Sequence, residues 1–266
     1  MTTHPFENRT ILLTGASRGI GAELSRQLRD AGAQVIGVAR RRIEKAPGLV
    51  PVALDLAEPG AATELARRIA RDHPDCSGLI ANAAIMVHTD LTRGDHAAEI
   101  AREIAVNLTA PAQLAAALLP TLAQNGPAFV NLVTSGLAIA PRAEAAVYCA
   151  TKAGLRSFAR TLRYQCEDAA LPVHVSETVM TLVATDLSRA LPNRYPPAEA
   201  AADLLAGIED RRDEIWIGRT RLLRLVHRLS PALAFRILRG ENTRALNPAD
   251  PGFAGRQASA EPDSAA

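Results

Sequence analysis

The stretch Thr10-Ile11-Leu12-Leu13-Thr14-Gly15-Ala16-Ser17-Arg18-Gly19-Ile20-Gly21 decides how the rest of the chain is read. Five mostly aliphatic residues bounded by glycine have the length and content of a buried strand. Gly15, Gly19 and Gly21 follow at once, and a helical pattern then runs to about Asp30, with Gly32 as its stop. Strand, glycine-rich turn and helix in that order make an anion cradle. The glycines allow the tight turn and a close approach of the backbone, and the helix N-terminus favours negative charge. A glycine triplet alone is a weak signal. Its place between a strand and a helix is what gives it content.

Working outward, residues 34–39, 50–54, 78–81, 128–134 and 173–179 read as further buried strands, and 214–217 as a short seventh. Helical patterns occupy 61–72, an alanine-rich stretch over 99–124 that contains Pro111 and Pro120, and 148–168. Strands alternating with helices predict an α/β fold, a Rossmann-like doubly wound parallel β-sheet of about seven strands with helices on both faces. Residues 1–240 read as one domain. From 241 to 266 Pro, Ala, Ser, Asp and Gly dominate, the composition of a disordered tail.

Composition narrows the class. With 48% hydrophobic residues but only 3% aromatic, the core must be built from Ala, Leu, Val and Ile. A net charge of +2 gives no reason to expect nucleic acid as a partner. Cys76, Cys149 and Cys166 lack metal-ligand spacing, so no metal site is expected, and an odd number cannot all pair internally. Reduced thiols in a cytoplasmic protein are expected. The first nine residues have no apolar signal region, and no run approaches the ~18 apolar residues of a membrane span.

The strand ends carry the candidate site residues, because ligands of open α/β sheets bind beyond the carboxyl ends of the strands. After the second strand come Ala39 and Arg40-Arg41-Arg42. An acidic residue there would bond the ribose 2′-hydroxyl of NAD, whereas Arg40, with Arg18 from the glycine loop, suits the 2′-phosphate of NADP. A solvated basic turn is the alternative. Asp55 and Leu56, after the third strand, could meet the adenine edge. Asn82-Ala83-Ala84 ends the fourth strand and Ser135-Gly136 the fifth. Asn107 is a polar amide among apolar residues and needs a partner, in a site or in the core.

Tyr148-Cys149-Ala150-Thr151-Lys152 places a phenol and an ammonium one helical turn apart. A neighbouring cation is expected to draw the phenol pKa down from ~10 towards neutrality. The pair alone is a weak motif, since an exposed helical Tyr and Lys would look the same. Lysine, however, occurs only at positions 45 and 152 of this arginine-rich chain.

Residues 180–197 are long, proline-bearing and irregular, as expected of a segment that covers a substrate. Leu137, Ile139, Met180 and Leu182 would give that substrate an apolar lining. Residues 219–239 carry many arginines, with Leu222, Leu225, Val226 and Leu229 at helical spacing. Pro231 breaks or kinks this helix. It could lie on an anionic membrane surface, or pack its apolar side on its own domain or a second subunit.

Thr14-Gly15-x-x-x-Gly19-x-Gly21, Asn82-Ala83-Ala84, Asn107, Ser135 and Tyr148-x-x-x-Lys152, in that order, resemble the short-chain dehydrogenase/reductase family over roughly residues 8–220. The resemblance implies a carbonyl–alcohol oxidoreductase in which Tyr148 exchanges the proton. Lys152 would bind the nicotinamide ribose and lower the Tyr148 pKa. Ser135 would hold the substrate oxygen, and Asn107 a water linking Lys152 to solvent. It also implies that Gly15, Ser17, Arg18, Gly19, Ile20, Gly21, Arg40, Asp55, Leu56, Asn82, Ala83, Val183 and Thr185 contact NADP(H), with NAD(H) less favoured. A homodimer or homotetramer through the helices of residues 95–124 and 149–168 is implied too. Two departures stand out: Ala81-Asn82-Ala83-Ala84 replaces the usual Asn-Asn-Ala-Gly, and Met180-Thr181 the usual Pro-Gly. A non-catalytic NADP-binding sensor or scaffold, and a sugar-nucleotide epimerase, are the other functions such a fold could serve.

Overall fold

The structure, a computed structural model, describes residues 5–184 and 195–239. Seven strands, β1 (Thr10–Thr14), β2 (Gln34–Ala39), β3 (Leu49–Ala53), β4 (Cys76–Ala81), β5 (Ala128–Ser135), β6 (Val173–Met180) and β7 (Glu214–Trp216), form one sheet in the order β3-β2-β1-β4-β5-β6-β7. Every pairing is parallel. Side chains alternate along β1, and this divides the core in two. Leu12 joins Ile36, Leu79 and Val130 under α2 (Ala61–Asp72), α4 (Ala110–Gln124) and α5 (Ala146–Asp168). Ile11 and Leu13 join Val35 and Ile80 on the opposite face, under α1 (Gly19–Asp30) and α6 (Pro197–Glu209). This is the doubly wound α/β sandwich that the strand–helix alternation predicts.

The stretch expected as one helix over 99–124 is three pieces: α3 (Ala97–Ile104), a π-turn (Ala105–Thr109) and α4. Pro111 explains the interruption. It has no amide hydrogen, so the Asn107 carbonyl cannot receive its usual bond from four residues on. The ladder shifts, and the Ala110 amide donates to the Ala105 carbonyl five residues back. Within residues 97–124 an 18-residue window has the mean hydropathy, 1.3, of a membrane span. Their Leu114, Leu118 and Leu122 are nevertheless fully buried against the sheet, so the apolarity belongs to the core. Cys76, Cys149 and Cys166 are buried free thiols.

Beyond β7 the basic segment forms two helices, α7 (Thr220–Leu229) and α8 (Pro231–Arg239), broken where Pro231 stands. The apolar stripe of α7 is divided: Val226 turns to the cavity of its own domain, whereas Leu222, Leu225 and Leu229 are largely exposed. The expected tail over 241–266, and most of the expected substrate loop including Thr185, lie outside the described residues.

A Cβ added at Gly78 on β4 would sit 2.5 Å from the Phe129 ring on β5, which itself packs on Phe6. Gly78→Ala should therefore overpack the β4–β5 junction and cost about 1–3 kcal/mol. Urea unfolding measures this, and an unchanged midpoint would contradict the packing described.

Candidate active site

The strand order reverses between β1 and β4, and the ends of these two strands are stitched together. The Thr14 hydroxyl accepts from the backbone amides of Asn82 (3.1 Å) and Ala83 (3.0 Å), and the Asn82 carboxamide donates to the Thr14 carbonyl at 3.1 Å. The glycine loop folds over this junction. Gly15 has φ +71°, and a Cβ at Gly21 would lie 1.9 Å from the Gly15 carbonyl oxygen. Only glycine lets helix α1 start this close to the loop.

A cavity of about 580 Å³ begins at this cradle. Gly15, Ser17, Arg18, Gly19, Ile20, Gly21, Arg40, Asp55, Leu56, Asn82, Ala83 and Val183 all line it. At one end Arg18, Arg40, Arg41 and Arg102 gather. Asp55 is already engaged there: Arg102 donates to it at 2.6 Å and the Ala57 amide at 3.0 Å. Partial burial works to raise the Asp55 carboxyl, but these bonds prevail and hold it below the ordinary carboxylate range.

At the other end lie Ser135, Tyr148 and Lys152, with Leu137, Met180 and Leu182 as expected. Ile139 is not among the lining residues. The Ser135 side chain accepts from the Leu137 amide at 3.2 Å and is hydrogen-bonded to Tyr148. Lys152 is only 1% exposed; its Nζ donates to the Val133 carbonyl at 2.8 Å and stands 5.7 Å from the Tyr148 ring centre. Burial pushes the phenol up to about 12, against which the Ser135 bond works only in part. This corrects the expectation that Lys152 draws Tyr148 towards neutrality. Burial also brings the Lys152 ammonium down to about 8.

Asn107 sits in the π-turn, fully buried and away from the cavity lining. Its carboxamide clamps the backbone of Ile85, donating to the carbonyl at 2.7 Å and accepting from the amide at 2.9 Å. The same NH2 also reaches the Thr151 hydroxyl at 3.3 Å. The side chain is thus a satisfied core amide that shapes the cavity through Ile85.

Two groups escape the sequence reading. Arg102 pairs with Asp55 from a helix 47 residues further along the chain, a distance no local pattern reveals. Glu103, one turn before Asn107, is 1% exposed; its Oε1 has no hydrogen-bond partner among the described residues. Burial lifts its carboxyl to about 7, opposed by the Val87 amide and by the positive charge of Lys152. A charged residue within an apolar helical run was the available signal.

Comparison with known proteins agrees with this geometry. The family described as short chain dehydrogenase matches residues 9–195. The uncharacterised oxidoreductase DltE of Bacillus subtilis (strain 168) is 36% identical over 189 residues, covering 68% of this chain and 74% of that protein. The benzil reductase ((S)-benzoin forming) of the same organism is 31% identical over 172 residues, covering 62% and 70%. A short chain dehydrogenase from Burkholderia cenocepacia J2315, solved in complex with NADP, superposes with a TM-score of 0.79 at 25% identity, over 88% of this chain and 98% of that one.

The raised Glu103 pKa makes a prediction about stability. Between about 4.5 and 7 the folded chain keeps a proton that the unfolded chain has released, so this group's contribution to stability falls as pH rises. In Glu103→Gln that loss is absent. Relative to the parent, the variant should match it near pH 5 and gain on the order of 2 kcal/mol by pH 8. Urea midpoints across this range check it; a pH-independent difference would refute the buried carboxyl.

Proposed function

The chain belongs to the short-chain dehydrogenase family, and we propose that it is an NADP(H)-dependent oxidoreductase that interconverts a carbonyl and a secondary alcohol. The observation that carries this reading is the convergence of Ser135, Tyr148 and Lys152 in the cavity that begins at the glycine cradle. The cradle fits a dinucleotide. A Cβ at Gly15 would meet Ala83 and Asn82, and one at Gly21 the Gly15 carbonyl, so the glycines let the loop fold tightly enough to offer its backbone amides to a pyrophosphate. When bound, NADP(H) supplies or accepts the hydride.

The side chains would do the rest. The Ser135 hydroxyl is placed to hold the substrate oxygen as negative charge develops on it. The Tyr148 phenol, kept neutral by burial, is a proton donor ready for reduction, and the buried Lys152 ammonium beside it steadies the charge it leaves. The Asn107 carbonyl, which Pro111 cannot partner, would hold a water that returns a proton. Arg18, Arg40 and Arg41 would receive the 2′-phosphate, since no acid follows Ala39 at the end of β2. The NADP held by the Burkholderia protein supports that preference. Leu137, Met180, Leu182 and Leu223 favour a lipophilic ketone, and the benzil reductase relative suggests aromatic diketones for an assay panel.

A non-catalytic sensor would have no use for Ser135, Tyr148 and Lys152 together, and an epimerase calls for a larger C-terminal domain than α7 and α8 make. We read residues 1–240 as one catalytic domain. Self-association would run through α3, α4 and α5, where Ile104 and Tyr164 are exposed, in a reducing compartment such as the cytoplasm.

Tyr148→Phe should lower kcat by about 10²–10⁴-fold, the usual worth of a positioned acid, while NADPH binding stays nearly unchanged. Following NADPH absorbance with benzil and other ketones tests it; retained turnover would remove Tyr148 from proton transfer. Arg40→Ala should weaken NADPH by about tenfold, ~1.4 kcal/mol, and NADH far less. Equal loss for both in fluorescence titrations would show that Arg40 does not meet the 2′-phosphate.

A further inference from the structure

We propose that α7 and α8 form a surface that docks on anionic lipid bilayers, with the mouth of the cavity opening into the lipid so that a bilayer-dissolved carbonyl compound can enter. The docking surface stands on these two helices alone; only the substrate clause rests on the oxidoreductase reading above.

The apolar face comes first. Nine large hydrophobic side chains are exposed among the described residues, and six of them are here: Leu222, Leu225, Leu229, Leu233, Phe235 and Ile237. Leu222, Leu225 and Leu229 recur at three- and four-residue spacing and so form one stripe along α7, 62%, 53% and 77% exposed. A contact of His227 with Phe235, ring centres 5.7 Å apart, joins α7 to α8. A contiguous apolar patch on a folded chain marks a contact surface.

Charge then selects the occupant. Residues 219–239 hold six arginines, at 219, 221, 224, 228, 236 and 239, and no acid. Without them the chain has 24 cationic side chains against 28 acidic ones, so the net positive charge of the protein comes from this hairpin. Arg221 and Arg224 are tied back to Trp216, through a 2.9 Å bond to its carbonyl and a 5.1 Å approach to its ring, and Arg224 lies 3.9 Å from Glu214. Arg228, Arg236 and Arg239 are exposed beside the leucines. A second copy seated on the same face by two-fold symmetry would oppose arginine to arginine. The chain's own residues 240–266 offer only Leu246 and Phe253 as large apolar side chains, too few to cover six. An apolar stripe flanked by arginines matches acyl chains beneath anionic headgroups.

The cavity supplies the link to function. Leu222, Leu223, Val226, Ile237 and Leu238 line the same cavity as Ser135 and Tyr148. Leu222 belongs to both surfaces, so a hairpin lying on a bilayer brings the cavity mouth to the lipid.

The test is flotation of the full-length protein with phosphatidylcholine vesicles, with and without phosphatidylglycerol, at low and high salt. The parent should float only with phosphatidylglycerol, and salt should weaken it. Leu225→Gln/Leu229→Gln, at positions outside the cavity, should cut flotation at least tenfold while turnover of a water-soluble ketone is unchanged. Arg228→Gln/Arg236→Gln should cut it too. Absence of flotation, or flotation indifferent to both variants, overturns the proposal. So does light scattering that shows a parent dimer split by Leu225→Gln/Leu229→Gln, or flotation seen only after residues 240–266 are removed. Flotation without NADPH turnover would sink the oxidoreductase reading and leave the docking surface intact.

Discussion

Burying the Lys152 ammonium is the constraint on which the rest of the structure depends. A buried charge is costly unless it is hydrogen-bonded and balanced. Here the Val133 carbonyl accepts from Nζ, and the Glu103 carboxyl attracts it from α3. The first partner requires α5 to lie against β5, and the second requires it to lie against α3. One turn beyond Lys152, Arg156 donates to Glu177 on β6 at 2.6 Å and to Glu214 on β7 at 3.0 Å, and lies 5.3 Å over the Trp216 ring. The Thr134 hydroxyl donates to the same Glu177 from β5. A surface ion pair contributes little, but this half-buried network shares charges among three strands and a helix. It ties α5, the helix that carries Tyr148 and Lys152, to the sheet.

The parts of the fold that were legible in the sequence have sharp local punctuation. β1 ends at Gly15, β2 where its apolar run gives way to arginines, and α2 lies between Gly60 and Pro74, and the structure bounds all three as the pattern does. The stretch 99–124 shows where such reading fails. Alanine and leucine fill ten of the fifteen positions of α4 and leave its faces little contrast, and no periodic pattern marks the π-turn that precedes it. Only Pro111 betrays it. Spacing also says nothing of depth. Tyr148 and Lys152 meet across one turn as expected, yet burial, set by residues far along the chain, decides which way each pKa moves. The α7 stripe is plain in the sequence, but only the packed domain shows that it faces outward.

The two ends of the cavity divide its chemistry. Four arginines gather where β2 and α3 meet the glycine loop, and most of the leucines where β6, α7 and α8 meet the phenol, with Arg142 and Arg219 as further cations on the lining. Such a gradient can orient an elongated molecule with a charged head and an apolar or aromatic reacting end. Asp55 sharpens it: paired with Arg102 and held ionised, it partly offsets the arginines beside it.

The neutral state of Tyr148 has one more consequence for the fold. A phenol held at about 12 carries no charge near neutral pH, so burying it costs far less than burying the ammonium beside it. Had Lys152 drawn the phenol down to neutrality in the same setting, a phenolate would join the Glu103 carboxyl close to one lysine. Two anions sharing one buried cation would destabilise α5 against the sheet. The arrangement instead keeps one full charge, on Lys152, with Glu103 near its own midpoint as the adjustable partner. In the proposed reaction, proton transfer from Tyr148 would add a second charge only transiently, with Ser135 and Lys152 in place to receive it.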